Sequence, residues 1–245
     1  MFRHHIPFRR SALALAIAGA SLAGAPAAHA VTVSWTDWTT VSILGNSATG
    51  VITPTAAPAI NVSLAGPNSG GSISETFTIG PASTFIGGIV SNAPCTGVAS
   101  CTGDLINIPG ATAGANTLTF SSPVVNPVFA IWSLGDASNT ATLTFPSGTA
   151  PVIGSMGTNG GLGFVSLTAS GNTVVGREGN GTFLLPGTFT SIPFTIASSA
   201  ANEFAGFTVG QAGPLAAPIP EPGTYALFAA GLGLLGFIAR RRRQR

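Results

Sequence analysis

The chain contains no lysine, and its three histidines, His4, His5 and His29, all precede residue 30. Downstream of that point the usual general bases and amine nucleophiles are missing. A Ser-His-Asp or Cys-His arrangement cannot be assembled there. Charged residues are 7% of the 245, against about 25% in ordinary soluble domains. All but one of the nine basic residues sit at the two ends: Arg3, Arg9, Arg10, and Arg240, Arg241, Arg242, Arg243 and Arg245. Between Val31 and Pro218, Arg177 stands alone against Asp37, Glu75, Asp104, Asp136, Glu178 and Glu203, a net charge of −5. Such a body has no electrostatic grip on a phosphate backbone, so nucleic-acid binding is excluded as a function class.

Carboxylate chemistry fares little better. Glycoside hydrolysis needs two acids about 5–10 Å apart, and six singletons carry no pairing signal. A hydrolase resting on Glu75, Glu178 or Glu203 is the weakest alternative. The only cysteines, Cys95 and Cys101, would leave zinc under-liganded without histidine. Asp104, Asn107, Asp136 and Asn139 are too sparse for a calcium loop. No cofactor or metal is expected, and the body is read as non-enzymatic.

What is present is apolar residue (45%), glycine (33 residues) and proline (18), enough to build a core and to punctuate it often. Short runs alternate with period two, as in Thr117-Leu118-Thr119-Phe120 and Thr142-Leu143-Thr144-Phe145. Strands are expected at 60–64, 74–79, 85–90, 116–120, 128–134, 141–145, 163–169, 173–175, 182–185, 189–196 and 204–209. The apolar stretch 124–134 reads as a central strand, restricted by Pro123 and Pro127. Period-two alternation with turn signals every 8–15 residues argues an all-β, antiparallel, two-sheet sandwich of jelly-roll type over residues 31–213, with one face wet.

The first 30 residues carry arginines, then an apolar run, then Ala28-His29-Ala30. That is the pattern of a secretory signal peptide cleaved after Ala30. In an exported protein two cysteines this close read as one disulfide, Cys95 to Cys101, stiffening a small loop by about 2 kcal/mol.

The other end has three unlike pieces in order: a proline-rich spacer at 214–222 that ends in Pro220-Glu221-Pro222, an uncharged apolar run at 223–239, and the arginine cluster of 240–245. The 17-residue run makes a helix of about 25 Å, enough for a thin bilayer or one whose flanking arginines snorkel. The arginines belong on the cytoplasmic side. This triple resembles the PEP-CTERM sorting signal of Gram-negative bacteria, a segment also catalogued as the C-terminal domain of ice-binding proteins. The resemblance covers about residues 218–245, and Pro220, Glu221 and Pro222 match the motif. It implies recognition by an exosortase, a membrane-embedded transpeptidase-like enzyme. It further implies transient anchoring by 223–239, processing near Pro220–Pro222, and release or attachment at the outer surface. Families with this tail accompany exopolysaccharide and biofilm genes, which makes extracellular polysaccharide the leading partner.

Within the body the candidate ligand contacts are Trp35, Trp38 and Arg177, with Trp132 as a further stacking platform. Three residues apart on a strand, Trp35 and Trp38 fall on opposite faces unless a bulge intervenes. Each is read first as a core anchor and second as a surface on which a sugar ring stacks. Arg177, in Gly176-Arg177-Glu178-Gly179-Asn180-Gly181, either forks to a ligand or pairs with one of the body's own acids. Threonine pairs at i, i+2 (Thr76/Thr78, Thr117/Thr119, Thr142/Thr144, Thr188/Thr190) read as the wet face of a sheet.

Overall fold

In the computed structural model the described residues are 30–42, 46–67, 73–79, 82–95, 101–109, 114–157, 166–198, 204–213, 231–232 and 240–242; for 73–79, 101–104, 108–109 and 204 the backbone alone is described. Residues 29–215 form one compact unit. The described residues among them supply fourteen strands: β1 (Val33–Ser42), β2 (Ser47–Ile52), β3 (Ile60–Ala65), β4 (Ile73–Ile79), β5 (Cys101–Pro109), β6 (Ala115–Val125), β7 (Pro127–Leu134), β8 (Ala141–Thr144), β9 (Val152–Met156), β10 (Ser166–Ser170), β11 (Thr173–Arg177), β12 (Gly179–Leu184), β13 (Thr188–Ser198) and β14 (Phe204–Ala212). Every strand pair is antiparallel. The rest of the described body is turns, bridges and one 3-10 turn, Ala82–Thr84.

The expected all-β class holds, but the two sheets are not separate. One runs β10-β11-β8-β13-β6-β3-β2-β1; the other contains β14, β7, β12 and β9, with β5 and then β4 added beside β14. The strand β1 belongs to both. Val33–Trp35 pair with Ala212–Gly210 of β14, and from Thr36 onward the strand pairs with β2 instead. At the changeover Thr36 Oγ1 donates to the Val209 carbonyl (2.6 Å), so a side chain satisfies an acceptor that the ladder has left. The far ends of the path, β10 and β9, return beside each other. The result is a nearly closed, barrel-like sheet.

Period-two sequences build this shape because one side chain in two can be buried against the opposite wall. On β13, Ile192, Phe194 and Ile196 are buried while the residues between them are exposed; on β3, Ile60, Val62 and Leu64 are buried, with Asn61 exposed and Ser63 half-buried between them. They meet Phe129, Ile131, Phe183, Ala205, Phe207 and Val209 from the other wall. Phenylalanines fill the middle: Phe129 stacks on Phe183 at 4.9 Å, Phe145 meets both edge-on, and Phe194 meets Phe145 tilted and Phe207 edge-on. Each such ring contributes about 1.5–3 kcal/mol by burial.

The strand β7 departs from alternation, with Val128, Phe129, Ala130 and Ile131 all buried. Its second face is covered by the strap 82–95. Phe85 packs with Leu105 and Ala130, and Val90 packs with Val31, Val33 and Val128. A strand buried on both faces must be continuously apolar, which is what the sequence shows there. The stretch 124–134 is nevertheless not one strand. Asn126 takes a positive φ of 49° and turns the chain from the end of β6 into β7 on the other wall.

The expected strand at 85–90 is also corrected. Gly87 and Gly88 have φ of 137° and 55°, which interrupts any ladder. The segment closes on itself through the Gly87–Val90 bridge and docks through a single bridge from Val90 to Val31. The expected membrane helix at 223–239 and the signal peptide at 1–30 lie outside the described residues, apart from Ala30 and the helical pair 231–232. Among the described residues no helix is long and apolar enough to cross a membrane.

Candidate functional site

The three tryptophans separate cleanly. Trp38 is 1% exposed, meets Phe207 edge-on at 6.4 Å, and donates from Nε1 to Thr208 Oγ1 (3.1 Å). A ring so enclosed has no face for a sugar, which removes Trp38 as a ligand contact and leaves it as a core anchor. Trp35 lies half-buried on the opposite face, as the three-residue spacing requires. Its ring covers Gly210, where a Cβ would come within 3.0 Å of it. Its Nε1 is buried with no hydrogen-bond partner among the described residues. Trp132 is half-buried under the strap, 6.4 Å from the Phe85 ring. Trp35 and Trp132 both pack against the cluster of Phe85, Leu105 and Ala130, so the strap occupies much of the surface that a sugar would need.

Arg177 does not reach outward. Its Nε donates to the Ala137 carbonyl (2.8 Å), and Nη2 donates to the same oxygen. The guanidinium thereby holds the turn between β7 and β8 against the end of β11. That turn is an Asx arrangement: Asp136 Oδ1 accepts from the Ser138 and Asn139 backbone N–H groups (2.6 Å each), and Asn139 Nδ2 donates to both carboxylate oxygens (3.0 and 2.8 Å). The Asn139 amide first and then the Ser138 backbone donor hold the Asp136 carboxyl below its ordinary value; desolvation opposes them, and the Asn139 backbone donor and the Arg177 charge add lesser lowering effects. Beside it, Glu178 accepts from Ser133 Oγ (3.0 Å), and Asn180 Oδ1 accepts from the Ser133 N–H (2.7 Å). With Ser133 and Glu178 both at positive φ, this is a self-satisfied polar brace for two turns. Among the described residues no group of three or more His, Cys, Asp or Glu is placed to hold a metal ion.

Cys95 packs partly buried against the Phe85 cluster, and no free cysteine occurs among the described residues. Cys101 opens β5, and its side chain lies outside the description. Glu75 and Asp104 are described in backbone only, and Glu203 lies outside the described residues.

The wet face was partly legible. Thr117/Thr119, Thr142/Thr144 and Thr188/Thr190 point away from the buried positions of β6, β8 and β13; the side chains of Thr76/Thr78 are not described. Over β1, β2, β3 and β6 this face hollows into a groove of about 490 Å³ lined by residues including Thr39, Thr49, Asn61, Ser63, Thr119 and Ser121. Of these only Thr119 was marked by its spacing. Asn61 and Ser63 were detectable as the outward half of Ile60-Asn61-Val62-Ser63-Leu64.

Of the tail, Arg240, Arg241 and Arg242 are helical and exposed. Pro220, Glu221, Pro222, Arg243 and Arg245 lie outside the described residues, as does Ala28. The chain matches no curated protein and no solved structure. Residues 218–243 match the PEP-CTERM protein-sorting motif, so the chain carries the sorting signal recognised by an exosortase.

Proposed function

We propose that the protein is exported, held transiently in the inner membrane by residues 223–239, and processed near Pro220-Glu221-Pro222 by an exosortase. It is then displayed on the cell surface or released into the extracellular matrix, where its β body associates with extracellular polysaccharide. The body acts without catalysis. The match at 218–243 carries this reading. The make-up of the body supports it: a single base and no lysine or histidine between Val31 and Pro218 leave little for general-base or nucleophilic chemistry, and much for hydrogen bonding by neutral groups.

A second reading, a carbohydrate module built on stacking tryptophans, keeps one observation. Trp35 keeps part of its ring exposed, a surface of the kind on which sugar rings stack, although its Nε1 is buried.

The test of the first reading is the fate of Glu221→Ala in a host that has the sorting enzyme. Loss of cleavage, with the full-length chain retained in the membrane fraction, is the expected result. Normal cleavage and release of the variant would overturn it. The second reading is tested by Trp35→Ala, which must abolish saccharide binding with the fold intact.

A further inference from the structure

We propose that the groove on the outer face of β1, β2, β3 and β6 is a binding site for a neutral glycan chain. This rests on the polysaccharide reading above and gives it a location and a ligand class. Three observations converge on it.

The first is shape. The strand β1 carries a bulge between Trp38 and Thr40, so Thr39 is the extra residue. It arches over β2, where its Oγ1 donates to the Thr49 carbonyl (3.3 Å). Opposite, Gly50 has no side chain, and a Cβ there would lie 2.5 Å from the Asp37 carbonyl. The bulge therefore needs Gly50 to close on β2. Bulges bend a strand and re-aim a side chain; here the bend makes a rim, and a flat sheet face becomes a trough of about 490 Å³, within the range of ligand sites.

The second is lining. The polar side chains facing the trough are those of Thr39, Thr49, Asn61, Ser63, Thr119 and Ser121, all neutral, and all able both to donate and to accept. A sugar hydroxyl has the same dual character. The cross-strand register places Thr40, Thr49, Ser63, Thr119 and Ser191 in one row. Successive members are about 4.8 Å apart, close to the advance of one sugar in an extended chain. Of the row, Thr49, Ser63 and Thr119 line the trough, and the Thr49 hydroxyl also bonds that of Thr40; a polymer laid across β2, β3 and β6 would meet one hydroxyl on each strand.

The third is charge. Among the described residues no cation lines the trough, and the nearest residue of fixed charge in the register is Asp37, exposed and paired with Val51 of the lining. An anionic polymer would find no counter-charge and one repulsion. A neutral one loses nothing.

The experiment uses the full chain with laminarihexaose, cellohexaose and dextran as neutral probes, polygalacturonate as anionic control, and the host's own extracellular polysaccharide. Titration calorimetry gives affinity, and threonine methyl NMR gives location. Thr49→Val/Thr119→Val removes two groove hydroxyls while keeping β-branched shape; Thr142→Val/Thr144→Val does the same on β8, outside the groove. Unchanged melting temperature checks both. The expected result is binding of at least one neutral probe, weakened at least tenfold by the groove pair and unaffected by the β8 pair. Equal binding by both pairs would overturn the groove while leaving the polysaccharide reading standing. Preference for polygalacturonate would overturn the neutral class. No binding of any probe or of the host polymer would overturn both readings.

Discussion

Trp38 Nε1 donates to Thr208 Oγ1 across 3.1 Å, and the two residues are 170 positions apart. The bond joins β1 to β14 inside the core, close to where β1 passes from one wall to the other. Trp38→Ala removes a fully enclosed indole and is expected to cost about 3–5 kcal/mol. Trp38→Phe keeps most of the packing but leaves a buried hydroxyl without its donor, a loss of about 1–3 kcal/mol. Chemical denaturation of the two variants checks the order; a Trp38→Phe variant as stable as the parent would show that the hydrogen bond contributes nothing, and equal losses in the two would show that the ring's packing adds nothing beyond it.

The strap over β7 is held by close backbone approach. At Gly88, φ is 55° and a Cβ would fall 1.8 Å from the Gly154 carbonyl oxygen. Gly88→Ala is expected to cost roughly 2 kcal/mol or more and to raise acrylamide quenching of Trp35 and Trp132. Gly171 has a similar φ of 57° and nothing within 4 Å. Alanine there should cost only the backbone strain, about 1 kcal/mol, with no change in quenching.

The Asp136 carboxyl is expected to titrate below its ordinary value of 3.8. A depressed carboxyl supports the fold above its unfolded value and withdraws that support as pH falls through the lower, folded value. The turn between β7 and β8 should therefore loosen only in strong acid. Arg177→Gln should move the Asp136 midpoint upward. Carbon-detected NMR titration of the carboxyl reads both, and an unshifted midpoint in the variant would show that Arg177 serves only the Ala137 carbonyl.

A Cys95–Cys101 disulfide would close a loop leading from the strap into β5. Alkylation of the unfolded, unreduced protein should find no free thiol, and Cys95→Ser/Cys101→Ser should lose about 2 kcal/mol. A stoichiometric reaction of both cysteines with the alkylating reagent would remove the pairing.

Much of the fold could be read locally. Strands β3, β7, β11 and β13 announce themselves by alternation or by an unbroken apolar run. The strand β2 did not, because two of its three inward positions, Ala48 and Gly50, are too small to give a hydrophobic rhythm, leaving Ile52 alone. Nor did β9, where Gly154 and the buried Ser155 replace apolar residues; Ser155 is held by bonds to Thr84 and Thr182 that no neighbouring residue supplies. The segment 85–90 has strand composition, but Gly87 and Gly88 take the conformations that let it dock as a strap.

The sorting motif, and the lack of lysine and of any histidine beyond residue 29, are properties of the chain as a string. An exosortase reads a contiguous segment, and a missing residue type is missing in any fold. Which tryptophan is enclosed, where Arg177 points, and that a bulge at Thr39 opposite a glycine hollows a hydroxyl face are different matters. Each depends on residues brought together from distant positions, Trp38 with Thr208 and Thr49 with Ser63 and Thr119. Such juxtapositions arise only when every strand's apolar half is buried at once, and the closing of the sheet decides them.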